Sequence, residues 1–341
     1  MSNRMGVAVV LFIAIALGIY FSLRPVMQPV VPNFVAEKKF GDEPITPIPR
    51  TLDLDLNKVA LGQRLFSDTQ LSRDNTISCS SCHNLAAGGV DGLARSVGIG
   101  GAQGAINAPS VFNSGFNFRQ FWDGRAATLE DQIDGPVQNP KEMGATWSQV
   151  IVNLNKNAAY RQDFSAIYPD GISRDSIKDA IATFERSLIT PDGKFDRFLR
   201  GEKNALDGEE FAGYQLFKSL GCISCHQGVN VGGNMYEKLG LVDNYFEHRG
   251  HIEEVDFGRY NITKNKENLY EFRVPSLRNV ALTAPYFHDA SADTLEHAVA
   301  IMAKYQLGVT LQDVERNRIV RFLKTLTGEY QGVPLQQSGG D

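Results

Sequence analysis

All four cysteines of the chain fall in two copies of one pentapeptide, Cys79-Ser80-Ser81-Cys82-His83 and Cys222-Ile223-Ser224-Cys225-His226, with none left over. A single C-x-x-C can be a redox pair or half of a zinc site, and a His beside it can be chance. Two copies, each with its His, narrow the choice. A zinc ribbon brings its C-x-x-C pairs much closer together along the chain than these. C-x-x-C-H is the attachment signature of c-type haem. Two thiols on one turn of helix reach the two vinyl groups of one porphyrin, while the adjacent imidazole swings under the iron as proximal ligand. The chain is therefore expected to carry two covalently bound haem c groups, one on Cys79, Cys82 and His83 and one on Cys222, Cys225 and His226. Because c-type haem is assembled outside the bacterial cytoplasmic membrane, the globular part is expected on its periplasmic side.

The first residues agree with export. Gly6 to Leu23 is an 18-residue stretch without a charge, bounded by Arg4 and Arg24, and just long enough to span a bilayer. Ala14-Ile15-Ala16 is the only cleavage candidate, and apolar residues continue beyond it, so residues 1–24 read as an uncleaved membrane anchor. Six of the 14 prolines fall between Pro25 and Pro49, which makes residues 25–50 an extended, semi-rigid tether. The whole chain, at 341 residues with 43% apolar and 21% charged, has the composition of two ordinary globular domains. A net charge of −5 with no Lys/Arg-rich run argues against nucleic acid as a partner.

From Thr51 onward the periodicity is helical. Leu56, Val59, Gln63 and Phe66 mark one helix; Ile177, Ile181, Phe184 and Leu188 mark a second, with Ser173 as its cap; Val314, Ile319, Phe322, Leu323 and Leu326 mark a third, stopped by Gly328. Strand signals are weak. Long Gly-rich stretches, Ala86 to Gly115 and Gly228 to Gly233, are unusual unless something other than protein fills the core. Leu61-Gly62-Gln63-Arg64-Leu65-Phe66 before the first motif and Ala212-Gly213-Tyr214-Gln215-Leu216-Phe217 before the second suggest a duplication. The expected fold is mostly α: two cytochrome c-type domains packed together, residues 51–192 and 193–330, with a seam at Thr190-Pro191-Asp192-Gly193 and a tail at 331–341.

The remaining iron ligands can be counted. The six His are at 83, 226, 248, 251, 288 and 297, so none lies between the two motifs, and the only Met there is Met143. The first haem is thus expected to be open to a small oxidant. In the second domain Met235 follows His226 too closely to reach the distal side. Met302 follows Leu295 and Val299 at helical spacing. A core-filling Met is the ordinary reading, but here Met302 is the expected distal ligand, giving a high-potential haem suited to accepting electrons.

Several further segments resemble the bacterial dihaem cytochrome c peroxidases, of the superfamily that also contains MauG-like enzymes. They are Gly88-Gly89-Val90-Asp91, Asn107-Ala108-Pro109-Ser110-Val111, Gln120-Phe121-Trp122-Asp123-Gly124-Arg125, Gly135-Pro136-Val137-Gln138, Val274-Pro275-Ser276-Leu277-Arg278-Asn279-Val280 and Pro285-Tyr286-Phe287-His288-Asp289. The resemblance covers roughly Thr51 to Tyr330. It implies reduction of hydrogen peroxide at the Cys79 haem, with electrons from a small cytochrome c or cupredoxin entering at the Cys222 haem. It implies Glu142 as the distal acid/base carboxylate, Gln132 as the neighbouring distal amide, and Trp122 as the residue between the haems. Asn107, Thr283 and Pro285 match positions around a Ca²⁺ between the domains, and members of the family often form homodimers. By spacing alone Glu142 reads as a solvated surface residue and Trp122 as core.

One departure stands out. Many members place a His in the Gly-rich loop, where it binds the peroxidatic iron in the oxidised enzyme; here Ser96-Val97-Gly98-Ile99-Gly100 puts Ile99 there. Ile cannot ligate iron, so the site is expected to be open without reductive activation. Two other readings are a MauG-like enzyme that oxidises a protein side chain, although those enzymes characteristically carry Tyr at the Met302 position, and a non-catalytic dihaem electron carrier. Intact mass and the pyridine haemochrome spectrum should give two covalent haems per chain, falling to one in Cys222→Ala/Cys225→Ala; a full count of two in that variant would refute the assignment of the second motif.

Overall fold

The computed structural model describes residues 43–336. The expected anchor at 1–24, the tether as far as residue 42 and the end of the tail lie outside the described residues. Among the described residues, no helix is long and apolar enough to cross a membrane.

Among the helices of the described residues, those that frame the two halves are α1 (Leu56–Phe66), α2 (Leu129–Gln138), α3 (Arg174–Ser187), α4 (Gly208–Ser219), α5 (Leu295–Ile301) and α6 (Asp313–Lys324). Their starts follow from local chemistry. Asp55, Thr128, Ser173, Asp207 and Thr294 each accept hydrogen bonds from backbone N–H groups of the first turn, satisfying donors that the helix itself leaves unpaired. The three helices expected from periodicity are present, although Val314, counted to the apolar face of the last, is exposed. β-structure among the described residues is limited to two short antiparallel pairs, Tyr236–Lys238 with Glu271–Arg273 and Glu329–Tyr330 with Val333–Pro334.

The duplication suggested by the sequence is physical. α1 crosses α3 and α4 crosses α6, and each crossing is closed by a glycine. A Cβ on Gly62 would lie 1.9 Å from Ala180 O, and one on Gly213 would lie 1.9 Å from Arg318 O. Only glycine permits backbones to approach this closely. Each crossing carries a matching aromatic pair, Phe66 on Phe184 (ring centroids 5.3 Å apart) and Phe217 on Phe322 (5.1 Å). Further on, Asn113 and Asn279 both have φ near 60°, Phe121 and Phe287 have φ of 68° and 70°, and Thr128 and Thr294 cap α2 and α5. The spacing between partners is the same throughout this second set, so α2 and α5 are counterparts.

The described residues form two buried apolar clusters. One joins Leu61, Phe66, Ile133, Leu154, Phe164, Ile181 and Leu188; the other joins Phe195, Tyr214, Phe246, Leu295, Ile319 and Phe322. Their edges correct the simple picture of a free tether and tail. Residues 43–50 are extended, as expected, but Ile45 and Ile48 are buried, Ile45 within the second cluster. Gly228 N donates to Pro44 O (2.9 Å) and Arg278 Nη2 to Thr46 O (3.0 Å). At the other end Tyr330 and Leu335 pack on the first cluster. Each half is thus completed by a strand from beyond its own boundaries, a long-range contact that no local pattern reports. The Thr190 turn is likewise buried: Thr190 N donates to Asn113 Oδ1 (3.0 Å) while its Oγ1 accepts from Asn113 Nδ2 (2.7 Å) and Asn279 Nδ2 (3.0 Å).

If residues 43–50 are structural rather than tether, Ile48→Ala should lower the unfolding free energy of the holoprotein by about 2–5 kcal/mol in a denaturant titration. A change below about 0.5 kcal/mol, as for an exposed residue, would show that the segment is not part of the fold.

Candidate functional site

The two C-x-x-C-H turns are built alike. Cys79–Cys82 forms one helical turn and Cys222–Ser224 one 3₁₀ turn, and His83 N and His226 N donate back to Cys79 O and Cys222 O, each at 3.0 Å. His83 Nδ1 lies 3.2 Å from Gly89 O and His226 Nδ1 3.3 Å from Val231 O. A carbonyl can only accept, so Nδ1 carries the proton and Nε2 keeps its lone pair for a metal. Burial holds both imidazoles neutral, that of His226 down to about 4. Phe66 and Phe217 flank the two rings, at centroid distances of 6.5 and 6.4 Å.

All four cysteines are unpaired. Burial pushes the Cys79 thiol up to about 12, with the Glu185 carboxylate adding to the effect, and the Cys222 thiol up to about 11.

Room for the porphyrin is evident in the second half. A cavity with roughly 1820 Å³ of space between protein atoms, part of it open to solvent, is lined by Cys222, Cys225, His226 and Met302 together with Leu295 and Val299. The donor set and the space fit a haem held by two thioethers, an imidazole and a thioether sulfur. Met302 opens a π-helical turn, Met302–Gln306, that continues α5. Gln306 fastens that turn to the neighbouring loop, accepting from Gly240 N (3.0 Å) and donating to Lys238 O (3.0 Å).

The same cavity brings in residues from the other half. Asn107 and Trp122 of the first half line it, beside Thr283 and Pro285 of the second. Trp122 Nε1 donates to Asn107 O (2.9 Å), Asn107 Nδ2 donates to Leu93 O (2.9 Å), and Thr283 Oγ1 donates to Val280 O (3.2 Å). Asn107 Oδ1 accepts no hydrogen bond among the described residues, which leaves a hard oxygen free for a cation such as Ca²⁺. The ring of Trp122 meets that of His288, its counterpart in the repeat, edge to face at 6.2 Å. His288 is buried and its Nε2 lies 2.7 Å from Asp256 Oδ1, within an ion-pair cluster with Arg249 and Asp289. The sequence shows His288 as one of six His and within the family-like segment Pro285 to Asp289, without a role; its alignment with Trp122 in the repeat is the further signal.

In the first half Glu142 and Gln132 come from adjacent pieces, the turn after α2 and α2 itself. The Glu142 carboxyl is pushed above its usual range by burial, against the opposing effects of the Asn139 amide, which donates to Oε1 at 2.6 Å, and of Arg125. It is half-buried and contributes to raising both the Cys79 and the Cys82 thiols, so it is not a solvated surface residue. Gln132 is half-buried, with no hydrogen bond from its side-chain amide among the described residues. Pro136 lies inside α2 and removes the N–H that would pair with Gln132 O. The counterpart of Met302 in the repeat is this Pro136, which has no donor atom. Met143 is packed in the first core. Ile99 is also buried, its N–H donating to Glu142 O (2.9 Å), and its loop is closed by Gly98 N to Ala102 O and Gly104 N to Ser96 O.

Comparison with known proteins agrees with this architecture. The di-haem cytochrome c peroxidase profile matches residues 56–204. Cytochrome c peroxidase Ccp of Escherichia coli is 51% identical over 290 residues, 85% of this chain, which spans 62% of that protein's length. Cytochrome c551 peroxidase of Nitrosomonas europaea is 44% identical over 290 residues, 85% of each chain. A crystal structure of a MauG-like protein associated with microbial copper homeostasis superposes with a TM-score of 0.72 at 31% identity, covering 86% of this chain and 95% of that one. With two haem-attachment turns in a repeated helical frame and relatives of this identity along most of its length, the chain belongs to the di-haem cytochrome c peroxidase family.

Proposed function

We propose that this chain reduces hydrogen peroxide to two waters, H₂O₂ + 2e⁻ + 2H⁺ → 2H₂O, with electrons from a small periplasmic cytochrome c or cupredoxin. Electrons enter at the haem held by Cys222, Cys225, His226 and Met302 and are used at the haem held by Cys79, Cys82 and His83. The observation that carries this reading is the contrast between the two distal sides. In one, Met302 shares a cavity with His226; in the other, its counterpart is Pro136, and a half-buried carboxyl, Glu142, contributes to raising both attachment thiols. When bound, the haem supplies one-electron chemistry and an iron that can bind a peroxide oxygen.

The chain's own residues then divide the work. Glu142 takes the proton from one peroxide oxygen and delivers it to the other, so that water is the leaving group. Gln132, with a free side-chain amide, holds the oxygen that remains. Trp122, in the wall between the halves, carries the electron across. Asn107, Thr283 and Pro285 hold a Ca²⁺ there and so keep the wall in register. The halves correspond to two haem domains, residues 51–192 and 193–330, and residues 1–24 anchor them on the periplasmic side of the membrane.

The likeness to a MauG-like structure supports a second reading, oxidation of a protein side chain. Met302, where those enzymes characteristically carry Tyr, favours the peroxidase.

Two measurements test the proposal. Fully oxidised enzyme that has never been reduced should oxidise added ferrocytochrome c from the first turnover with H₂O₂, because Ile99 leaves the iron open. A lag abolished by pre-reduction would refute the open resting site, and silence in both states would refute the peroxidase with that class of donor. Glu142→Gln should keep two haems and lose about 10²–10⁴ in kcat/KM for peroxide; an unchanged value would remove Glu142 from the mechanism.

A further inference from the structure

Superimposing the two halves in register at their helix crossings pairs Gly62 with Gly213, Ala180 with Arg318, and Phe184 with Phe322. The next residue in each helix is Glu185 in α3 and Leu323 in α6. Leu323 lines the cavity that holds Cys222, His226 and Met302. At the corresponding place beside Cys79 the chain therefore puts a carboxyl where the other half puts an isobutyl group. Glu185 is 6% exposed, and its Oε2 is sealed from solvent with no hydrogen-bond partner among the described residues. As an anion it would push the Cys79 thiol further up.

Such a group is costly as an anion and keeps its proton unless positive charge appears nearby. Burial raises its titration to about 8, Glu130 adds to that, and Arg186 opposes it. The surrounding charges are otherwise committed. Arg186 is paired with Glu130 of α2 at 2.7 Å, and Lys58 and Arg64 of α1 are paired with Asp179 and Asp163. Glu142 adds to the negative charge felt at Cys79. The carboxyl also lies in the last turn of α3, where the helix dipole disfavours negative charge.

We propose that Glu185 is a redox-linked proton site belonging to the Cys79 haem alone. When that haem gains an electron, Glu185 takes up a proton from solvent; when it loses the electron, Glu185 releases the proton, and its negative charge stabilises the oxidised form. The Cys222 haem, facing Leu323, has no such partner at this place. The inference rests on haem attachment at Cys79 and requires neither peroxide turnover nor the assignment of Glu142.

Spectroelectrochemical titration of the holoenzyme across pH 6–9, wild type against Glu185→Gln, reads this directly. In the wild type the potential of the Cys79 haem should fall more steeply as pH rises through the region near 8 than in the variant. The two proteins should differ most above that pH, where only the wild type carries the anion, while the Cys222 haem keeps one profile in both. Parallel profiles for the Cys79 haem would overturn the proposal, as would an equal change at both haems. If Glu185→Gln does not assemble two haems, a redox-difference infrared spectrum of Glu142→Gln serves instead. A carboxylic C=O band that gains intensity on reduction of the Cys79 haem and shifts in D₂O supports the assignment, and its absence overturns it. A protein lacking haem on Cys79 would instead show as a haem count of one.

Discussion

Each half of the molecule turns on a bond from the Nδ1–H of a histidine to a backbone carbonyl, His83 to Gly89 and His226 to Val231. This bond fixes the tautomer, and with it which nitrogen can meet an iron. It works only if the carbonyl is held still, and the loops that hold it are Gly-rich and have little regular structure of their own. Ser110 Oγ donates to Gly88 O (2.7 Å) in the first half, and Ser276 Oγ to Asn230 O (2.8 Å) in the second. These serines sit in equivalent Pro-Ser segments, and each braces the residue that precedes the orienting carbonyl in its own half. The aromatic stacks above and the glycine-closed helix crossings behind then bring the attachment turn to a fixed place against the core.

Duplication supplies two similar sites, and a few substitutions make them different. Met302 against Pro136 sets whether a sulfur is available on the distal side. Leu323 against Glu185 sets whether the buried side chain behind the attachment cysteines is apolar or a carboxyl. His288 against Trp122 places unlike rings in contact where the halves meet. The two halves share one frame, and these exchanges give each a different local charge or donor set.

The second half is also tied to the entering segment by polar groups that are buried together. Arg278 and Asp196 pair at 2.7 Å with both side chains almost wholly enclosed, and Arg278 also donates to Val229 O and Thr46 O. A buried pair of this kind adds little net stability, yet removing one partner leaves an uncompensated charge. It serves to fix the entering strand, the second haem loop and the Pro-Ser segment relative to one another.

The haem attachment, the helical class, the repeat and the near absence of strand were legible in the sequence, because they are written in local spacing: the C-x-x-C-H turns, the 3.6-residue periodicity at Ile177, Ile181 and Phe184, and the Ser173 cap. Glu142, Gln132 and Trp122 were legible only through resemblance, since a Glu after a helix has no local mark that separates a buried acid from a solvated one. What tertiary structure alone decided is the set of contacts between residues far apart in the chain. Ile45 and Ile48 close the second half although they precede the first, Tyr330 and Leu335 close the first although they follow the second, and Glu185 is sealed beside Cys79. Burial, and the shifts in ionisation that burial causes, depend on which surfaces meet, and the order of residues along one segment does not carry that information.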